Sequence, residues 1–136
     1  MLKVLQQFGY RPRAAVWELT LACNLRCRHC GSRAGKARDD ELPTSRALQL
    51  CRELGELGCK RVTLGGGEPT LYPSWGMLAS TLVDQGMKVN MTTNGLLFDR
   101  KLARQVQLFG LESICFSLDG LEATHEYIRR VPGHFR

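Results

Sequence analysis

The sequence lacks any apolar run of about 18 residues or more, so it predicts no membrane span. Its first residues, MLKVLQQFGYRPRAAV, contain neither the long apolar stretch nor the small-residue cleavage site of a secretory signal. Low-complexity segments and residue-level repeats are also missing. These absences lead us to expect a cytoplasmic protein.

The composition excludes a disordered chain. Hydrophobic residues make up 43% and charged residues 24% of the 136 residues, which suits one compact domain with a real core. We expect residues 1–13 to be an N-terminal lead-in and residues 14–136 to form the domain itself.

Acidic residues are the scarcer charge, with 13 Asp and Glu against 19 Lys and Arg, a net charge of +6. The excess is concentrated early, because residues 1–40 carry eight basic and three acidic side chains. Such a balance suits nucleic acid, an acidic peptide, an anionic small molecule or simply a solvated surface. Aromatic residues are only 7% of the chain and do not interleave with the basic ones, so we do not expect nucleic acid binding.

Six cysteines without a secretion signal indicate reduced thiols rather than disulfides. Cys51, Cys59 and Cys115 lie in apolar surroundings, and we expect them to be buried and to act as small hydrophobic residues. The other three fall within CNLRCRHC, residues 23–30, where clustered thiols favour a metal site.

Strand and helix patterns alternate along the chain. Strands are predicted at 14–21, 61–64, 88–93 and 113–119. Helices are predicted at 44–57 with Thr44 as cap, from Pro73 to Gly86, up to Gly110 with Leu102, Val106 and Phe109 inward, and at 121–130. This order predicts an α/β fold of parallel βα units with right-handed crossovers.

Every unusual polar or glycine-rich stretch follows one of these strands. The stretches are CNLRCRHC, GGGEP, TTNG and SLDG. Because the carboxyl ends of parallel strands share one edge, we expect a single site there.

The spacing of Cys23, Cys27 and Cys30 leaves three interpretations open. Zinc needs four ligands, and the nearby candidate His29 adjoins Cys30, which makes a shared metal awkward. A disulfide leaves one thiol over. An iron–sulfur cluster bound by three thiolates leaves one iron open to a ligand.

The polar strand ends also have alternative interpretations. GGGEP is a tight turn, or a weak dinucleotide signal in which Thr70 replaces the third glycine. Glu68 could accept from an ammonium group, whereas Asn94 and the Ser117–Gly120 stretch suit turns or a nucleoside. Arg129 is either solvated or paired with a carboxylate, and His125 is expected at the surface.

Taken together, C-x3-C-x2-C, the GGEP turn, TNG, SLDG and H-E-x-x-R resemble the radical S-adenosylmethionine (radical SAM) enzymes, from about Val16 to Arg136. The resemblance implies a partial (β/α)6 barrel, of which about four units are present, and hence a core truncated at the C-terminus. A missing C-terminal half or a partner chain would complete it.

The resemblance also implies cofactors and their ligands. Cys23, Cys27 and Cys30 would hold a 4Fe–4S cluster whose fourth iron chelates S-adenosylmethionine. Residues implied to contact S-adenosylmethionine are His29, Gly66, Gly67, Glu68, Asn94, Ser117, Asp119 and Arg129. Reductive cleavage would give a 5′-deoxyadenosyl radical that abstracts hydrogen from substrate.

Within this family, WELTxxCNLxCxHC with GGGEP resembles the SPASM and twitch branch, which matures peptides, proteins or cofactors. That implies a peptide, protein or small-molecule substrate and an electron donor such as flavodoxin or ferredoxin. Two other hypotheses stay open: a non-catalytic module stabilised by zinc or a cluster, and an RNA-modifying radical SAM enzyme, which the early basic residues motivate.

Overall fold

The structure is a computed structural model that describes residues 7, 9 and 11–136. Most of the predicted lead-in, residues 1–13, therefore lies outside the described residues. The strands are β1 (Ala14–Glu18), β2 (Arg61–Gly65), β3 (Lys88–Thr93) and β4 (Ser113–Phe116). The helices are α1 (Thr44–Glu56), α2 (Trp75–Asp84), α3 (Arg100–Leu108) and α4 (Glu122–Arg129), with a short 3₁₀ turn at Pro69–Leu71.

The four strands form one parallel sheet in the order β1-β2-β3-β4. Parallel neighbours in chain order need a crossover between each pair, and α1, α2 and α3 supply the three crossovers. This confirms the α/β class and the βα repeat that the sequence predicts.

The two faces of the sheet differ in burial. Leu64 and Met91, which are partners in the β2–β3 register, are fully buried in the core. The opposite face carries Val16, Thr63 and Asn90, which are also neighbours in register, and Val16 is 83% exposed. Helices α1, α2 and α3 therefore cover one face of the sheet, and the core lies between them and that face.

The apolar faces of the helices agree with the sequence pattern. Ala47, Cys51 and Leu54 of α1 are buried, as are Trp75 and Leu78 of α2. The predicted helix stops are also confirmed, because each is a glycine with a positive φ angle just beyond a helix: Gly58, Gly86 and Gly110.

Several boundaries differ from the sequence-based predictions. Strands β1 and β4 end at Glu18 and Phe116 because the residues after them turn into the loops at the sheet edge. Helix α2 begins at Trp75 rather than Pro73, after the 3₁₀ turn. Thr44 is not a cap: Pro43 occupies the cap position, and the Thr44 hydroxyl pairs with Ser74 Oγ at 2.8 Å.

All six cysteines are free thiols. Cys51 and Cys59 are buried as predicted, but the prediction for Cys115 is wrong, because it is exposed. Cys115 lies on the edge strand β4, and its neighbour in register, Thr92, belongs to the open face of the sheet. None of the helices in the described part of the chain is long and apolar enough to cross a bilayer.

Candidate cofactor-binding site

A cavity of about 280 Å³ opens at the carboxyl edge of the sheet. Its wall contains the three cysteines Cys23, Cys27 and Cys30, together with His29, Gly66, Gly67, Asn94, Ser117 and Arg129. The predicted site residues Glu68 and Asp119 do not line it and lie behind the wall. The fold thus gathers nine of the eleven predicted residues around one cavity, as expected from the strand ends.

Each of the three thiols receives a nitrogen donor. The backbone N–H of Leu25 donates to Cys23 Sγ at 3.4 Å, and that of Ala34 donates to Cys30 Sγ at 3.3 Å. Arg129 Nη1 donates to Cys27 Sγ at 3.7 Å. Burial raises the pKa of the Cys23 thiol above its ordinary value. The N–H donors are suited to the charge of a metal-bound thiolate.

The segment before the cysteines is held by Glu41. Its Oε1 accepts from Thr20 Oγ1 at 2.9 Å, from the Leu21 N–H at 2.8 Å and from the Arg38 N–H at 3.0 Å. Burial works against ionisation here, yet these three donors hold the pKa of the Glu41 carboxyl below its ordinary value. One carboxylate therefore fixes where the chain leaves β1 and enters the cysteine loop.

The middle of the cysteine loop is docked on the last turn of α4 through Arg28. The Arg28 N–H donates to the Ile128 carbonyl at 2.9 Å, and its Nε donates to the Tyr127 carbonyl at 3.0 Å. Its guanidinium also lies over the Tyr127 ring, 4.2 Å from the centroid. Two carbonyls at the end of α4 are thereby satisfied by the loop.

The glycines of GGGEP have two different roles. A side chain at Gly66 or Gly67 would overlap the carbonyl oxygens of Thr20 or Ala22, and the Gly67 N–H donates to Thr20 O at 2.7 Å. These two glycines thus allow the turn to pack on the backbone that leads into the cysteines. Gly65 differs, because a Cβ there would meet nothing within 4 Å, although the residue lines the cavity.

Glu68 is 1% exposed, and both of its carboxylate oxygens are used by protein donors. Oε1 accepts from Thr70 Oγ1 at 2.7 Å and Thr93 Oγ1 at 2.8 Å, and Oε2 accepts from the Asn94 N–H at 2.8 Å. Glu68 therefore ties the GGGEP turn to the end of β3, behind the glycines that form the cavity wall.

Asn94 connects the end of β3 to the cysteine loop. Its Nδ2 donates to Asn24 Oδ1 at 2.7 Å and lies 3.9 Å from Cys23 Sγ, while its Oδ1 accepts from the Leu96 N–H at 2.9 Å. Asn24 Nδ2 is buried and has no partner among the described residues. The loop therefore holds one unused donor beside the first cysteine.

Asp119 is the junction between the end of β4, α4 and the cysteine loop. Its Oδ2 accepts from Arg129 Nε at 2.5 Å, and its Oδ1 accepts from Arg129 Nη2 at 3.1 Å and pairs with His29 Nε2 at 3.1 Å. Burial opposes ionisation, but the hydrogen bonds from Arg129 and His29 hold the pKa of Asp119 below its ordinary value. The carboxylate partner that the sequence leaves open for Arg129 is Asp119 itself.

The donor set fits a 4Fe–4S cluster, which takes one thiolate on each of three irons and therefore needs thiols around a cavity. Three free thiols with N–H donors surround this cavity, and Gly65 leaves open space in its wall. Within residues 11–136, no three His, Cys, Asp or Glu side chains are grouped closely enough to hold one metal ion.

Sequence reasoning missed the residues that hold the cysteine loop, above all Glu41, Arg28 and Asn24. Spacing along the chain carries no signal for them, because their partners are distant in sequence: Arg28 and Tyr127 are 99 residues apart. The prediction that His125 lies at the surface is wrong, since its side chain is 2% exposed.

A family model described as the Radical SAM superfamily matches residues 17–135 of the chain. The chain belongs to the radical SAM superfamily. Membership carries with it a 4Fe–4S cluster and S-adenosylmethionine as cofactors, in agreement with the donor set described above.

Two curated relatives are named for different activities. An Fe-coproporphyrin III synthase from Methanosarcina barkeri is 35% identical over 121 residues, which cover 88% of this chain and 30% of the relative. A mycofactocin maturase, MftC, from Mycobacterium ulcerans is 32% identical over 136 residues, which cover 98% of this chain and 37% of the relative. The chain spans about a third of the length of these radical SAM relatives.

The fold is also similar to that of SuiB from Streptococcus suis, at 21% sequence identity. SuiB bound to S-adenosylmethionine superposes with a TM-score of 0.77, covering 96% of this chain and 31% of SuiB. SuiB bound to its precursor peptide SuiA gives 0.78, covering 98% of this chain and 31% of SuiB. The four βα units therefore have the same fold as the matching part of SuiB.

Proposed function

We propose that this chain is the cofactor-binding part of a radical SAM enzyme that acts in the maturation of a peptide, a protein or a cofactor. The observation that carries the proposal is that three free thiols, each with an N–H donor, line one cavity with the glycine turn and the ends of β3 and β4. When bound, the cluster and S-adenosylmethionine would supply one-electron cleavage of the sulfonium and so a radical that abstracts hydrogen from substrate.

The residues of this chain would hold and orient these groups. Cys23, Cys27 and Cys30 would ligate three irons, and the N–H donors to their sulfurs would stabilise the thiolate charge. Gly65, Gly66 and Gly67 would form the wall along which the methionine part lies, since they bring bare backbone to the cavity.

The remaining predicted contacts divide by position. His29, Asn94, Ser117 and Arg129 line the cavity and would face S-adenosylmethionine. Glu68 and Asp119 would not contact S-adenosylmethionine directly. Glu68 would position the Asn94 backbone, and Asp119 would position Arg129. We infer that Arg129 orients Cys27 as well as the cofactor, because its Nη1 lies at that sulfur while Asp119 holds the other nitrogens.

A maturation substrate is supported by the activities for which the relatives are named, which include a mycofactocin maturase and an Fe-coproporphyrin III synthase. SuiB, which shares the fold, has been solved with a precursor peptide. We further propose that a flavodoxin or ferredoxin supplies the electron and that the protein works in the cytoplasm.

The decisive experiment is anaerobic reconstitution with iron and sulfide, followed by paramagnetic resonance of the reduced protein with and without S-adenosylmethionine. We expect about four irons per chain, a spectrum that changes with the cofactor, and 5′-deoxyadenosine as product. Zinc in place of iron, or a spectrum that does not change when S-adenosylmethionine is added, would instead support a non-catalytic, metal-stabilised module.

Cysteine variants test the ligand assignment. Cys27→Ala should lose most of the bound iron and sulfide, because two thiolates hold four irons poorly. Cys115→Ala is the matched control: Cys115 is an exposed thiol on β4, away from the cavity wall, and its loss should leave the iron content unchanged. Full iron in Cys27→Ala would contradict the assignment.

A further inference from the structure

His125 is a buried histidine in the middle of α4. It is among the largest fully buried side chains of the described residues. Its side chain is polar, although an apolar residue could fill the same buried position on this short helix. A buried imidazole needs partners for both ring nitrogens, because an unpaired polar atom away from water is costly. The partners of His125 therefore indicate what it does.

The two ring nitrogens of His125 have fixed roles. The backbone N–H of Asp119 points at Nδ1 at 3.2 Å, and a backbone N–H can only donate, so Nδ1 accepts and is unprotonated. The proton of the neutral ring is then on Nε2, which donates to His134 Nδ1 at 2.6 Å. The rings are nearly parallel, at 9°, with centroids 4.9 Å apart, and burial lowers the pKa of His134, which favours its neutral form.

The bond to Nδ1 fixes the main chain of Asp119, which is the residue that organises the cysteine loop. The Asp119 carboxylate holds the Arg129 guanidinium, whose Nη1 lies 3.7 Å from Cys27 Sγ. It also holds His29, the neighbour of Cys30. Rotation of the Asp119 backbone would move both contacts together.

We propose that His125 is a positioning residue for the cofactor site: its unprotonated Nδ1 holds the Asp119 main chain and, through Asp119, sets Arg129 at Cys27. The cofactor-related part of this inference rests on the proposed function, but the positioning itself is a property of the protein without cofactor. If His125 only fills space on α4, the effect of a substitution should depend on the volume of the new side chain and not on which ring nitrogen it replaces.

Two variants separate these roles because the asparagine and glutamine amides replace different nitrogens. His125→Asn retains an acceptor near Nδ1 and loses the donor to His134, whereas His125→Gln retains a donor near Nε2 and loses the acceptor for Asp119. Both remove the aromatic ring, so a pure packing role predicts similar effects of the two changes.

The measurement is the rate at which N-ethylmaleimide alkylates each cysteine in the reduced, cofactor-free protein, followed by peptide mass spectrometry. In His125→Gln the rate at Cys27 should differ from the native rate by about fivefold or more, the effect of one lost hydrogen bond on the surroundings of that sulfur. In His125→Asn it should stay within about twofold of the native rate. The exposed Cys115 is the internal reference, and the buried Cys51 reports unfolding.

Equal rates at Cys27 in the two variants, or a change confined to His125→Asn, would overturn the proposal. If His125→Gln unfolds, as a reactive Cys51 would reveal, His125→Asn still decides, because a changed alkylation rate at Cys27 in a folded His125→Asn protein contradicts the role of Nδ1. A second measurement uses the reconstituted variants and their paramagnetic resonance spectra. His125→Gln should weaken the spectral response to S-adenosylmethionine, and His125→Asn should retain it. If the native protein takes up no iron, the proposed function is contradicted, whereas the alkylation result still tests the positioning role of His125.

Discussion

Glu41 shows how one side chain can determine the position of a whole loop. Its Oε1 collects donors from Thr20, Leu21 and Arg38, so the residues on both sides of the cysteine loop are joined at a single carboxylate oxygen. The bonds require the ionised form, because a protonated oxygen accepts less well and carries a hydrogen of its own. The loop should therefore loosen in acid.

The pH dependence of Glu41 can be predicted in sign. Its folded-state pKa is below that of the unfolded chain, so its stabilising contribution is complete above about pH 4.5 and is lost as the pH falls through the lower, folded-state value. Glu41→Gln should therefore lose stability at neutral pH and show a shallower decline in unfolding free energy between about pH 5 and pH 3. Urea unfolding across this range measures both.

The same exchange at Glu56, on the exposed end of α1, controls for the change in net charge. If the unfolding free energy of the Glu41→Gln protein declines in acid as steeply as that of the native protein, then Glu41 is not ionised in the folded state or its hydrogen bonds do not contribute to stability.

The gathering of the candidate site residues at one edge of the sheet could be predicted, but most of their contacts could not. Cysteine spacing and strand ends predict that Cys23 and Asn94 share one site, and the family resemblance adds Arg129; in the structure all three line one cavity. The pairing of Asn94 with Asn24 and of Arg129 with Cys27 joins residues 70 and 102 positions apart, and no local pattern encodes such a distance. Burial of His125 escaped prediction for the same reason.

At the scale of elements, the GGGEP turn joins the sheet to the cysteine loop. It continues the parallel pairing beyond β1 and β2, with the Gly67 N–H on Thr20 O at 2.7 Å and the Glu68 N–H on Ala22 O at 2.8 Å. At Gly66 and Gly67 a Cβ would overlap that backbone, which explains two of the three glycines without any ligand. The third, Gly65, needs another reason.

Alanine at these glycines should separate packing from ligand binding. Gly67→Ala should destabilise the fold by about 2 kcal/mol or more, because its Cβ meets the backbone carbonyl of Ala22. Gly65→Ala should change the unfolding free energy by less than about 1 kcal/mol, since its Cβ meets open space. It should weaken S-adenosylmethionine binding by about tenfold or more, because a methyl group enters a fitted cavity.

Urea unfolding and titration of the reconstituted protein with S-adenosylmethionine measure the two effects. Unchanged cofactor affinity in Gly65→Ala would show that the wall at Gly65 does not meet the ligand, and a stable Gly67→Ala protein would contradict the packing at Ala22.

Element type and order could be predicted from periodicity, whereas the ends of elements depended on tertiary contacts of the residues beyond them. Both ends of β3 could be predicted, because a helix stop precedes Lys88–Thr93 and Asn94 follows it. The stretch after Phe116 suits a turn, and Ser117 and Asp119 do turn to the cavity and to α4, so β4 ends before the predicted residue 119.

At the scale of the whole molecule, several exposed apolar side chains lie beside β4. Leu96, Phe116, Leu118 and Phe135 line one surface hollow of about 540 Å³, and Leu118 is 66% exposed. A contiguous apolar surface beside an edge strand favours association with another chain. The 136-residue chain should therefore associate with itself in solution.

A charge at this surface should oppose that association. Leu118→Lys should lower the apparent mass measured by sedimentation or light scattering at high protein concentration, because a lysine resists burial in a contact. Met77→Lys adds the same charge at an exposed apolar site on α2 and should leave the association unchanged. Equal masses for the native chain and Leu118→Lys at every concentration would contradict this.

The distance along the chain between the cysteines and their supports sets an order of events during synthesis. The three thiols emerge with the first 30 residues, but the guanidinium that meets Cys27 belongs to residue 129, and the carbonyl that anchors Arg28 Nε to residue 127. Chains emerge from their N-terminus, and contacts between distant residues form last. The three thiols of a nascent chain therefore stay open to oxidation at least until residues 127–129 have been made, and we expect metal uptake to follow that point.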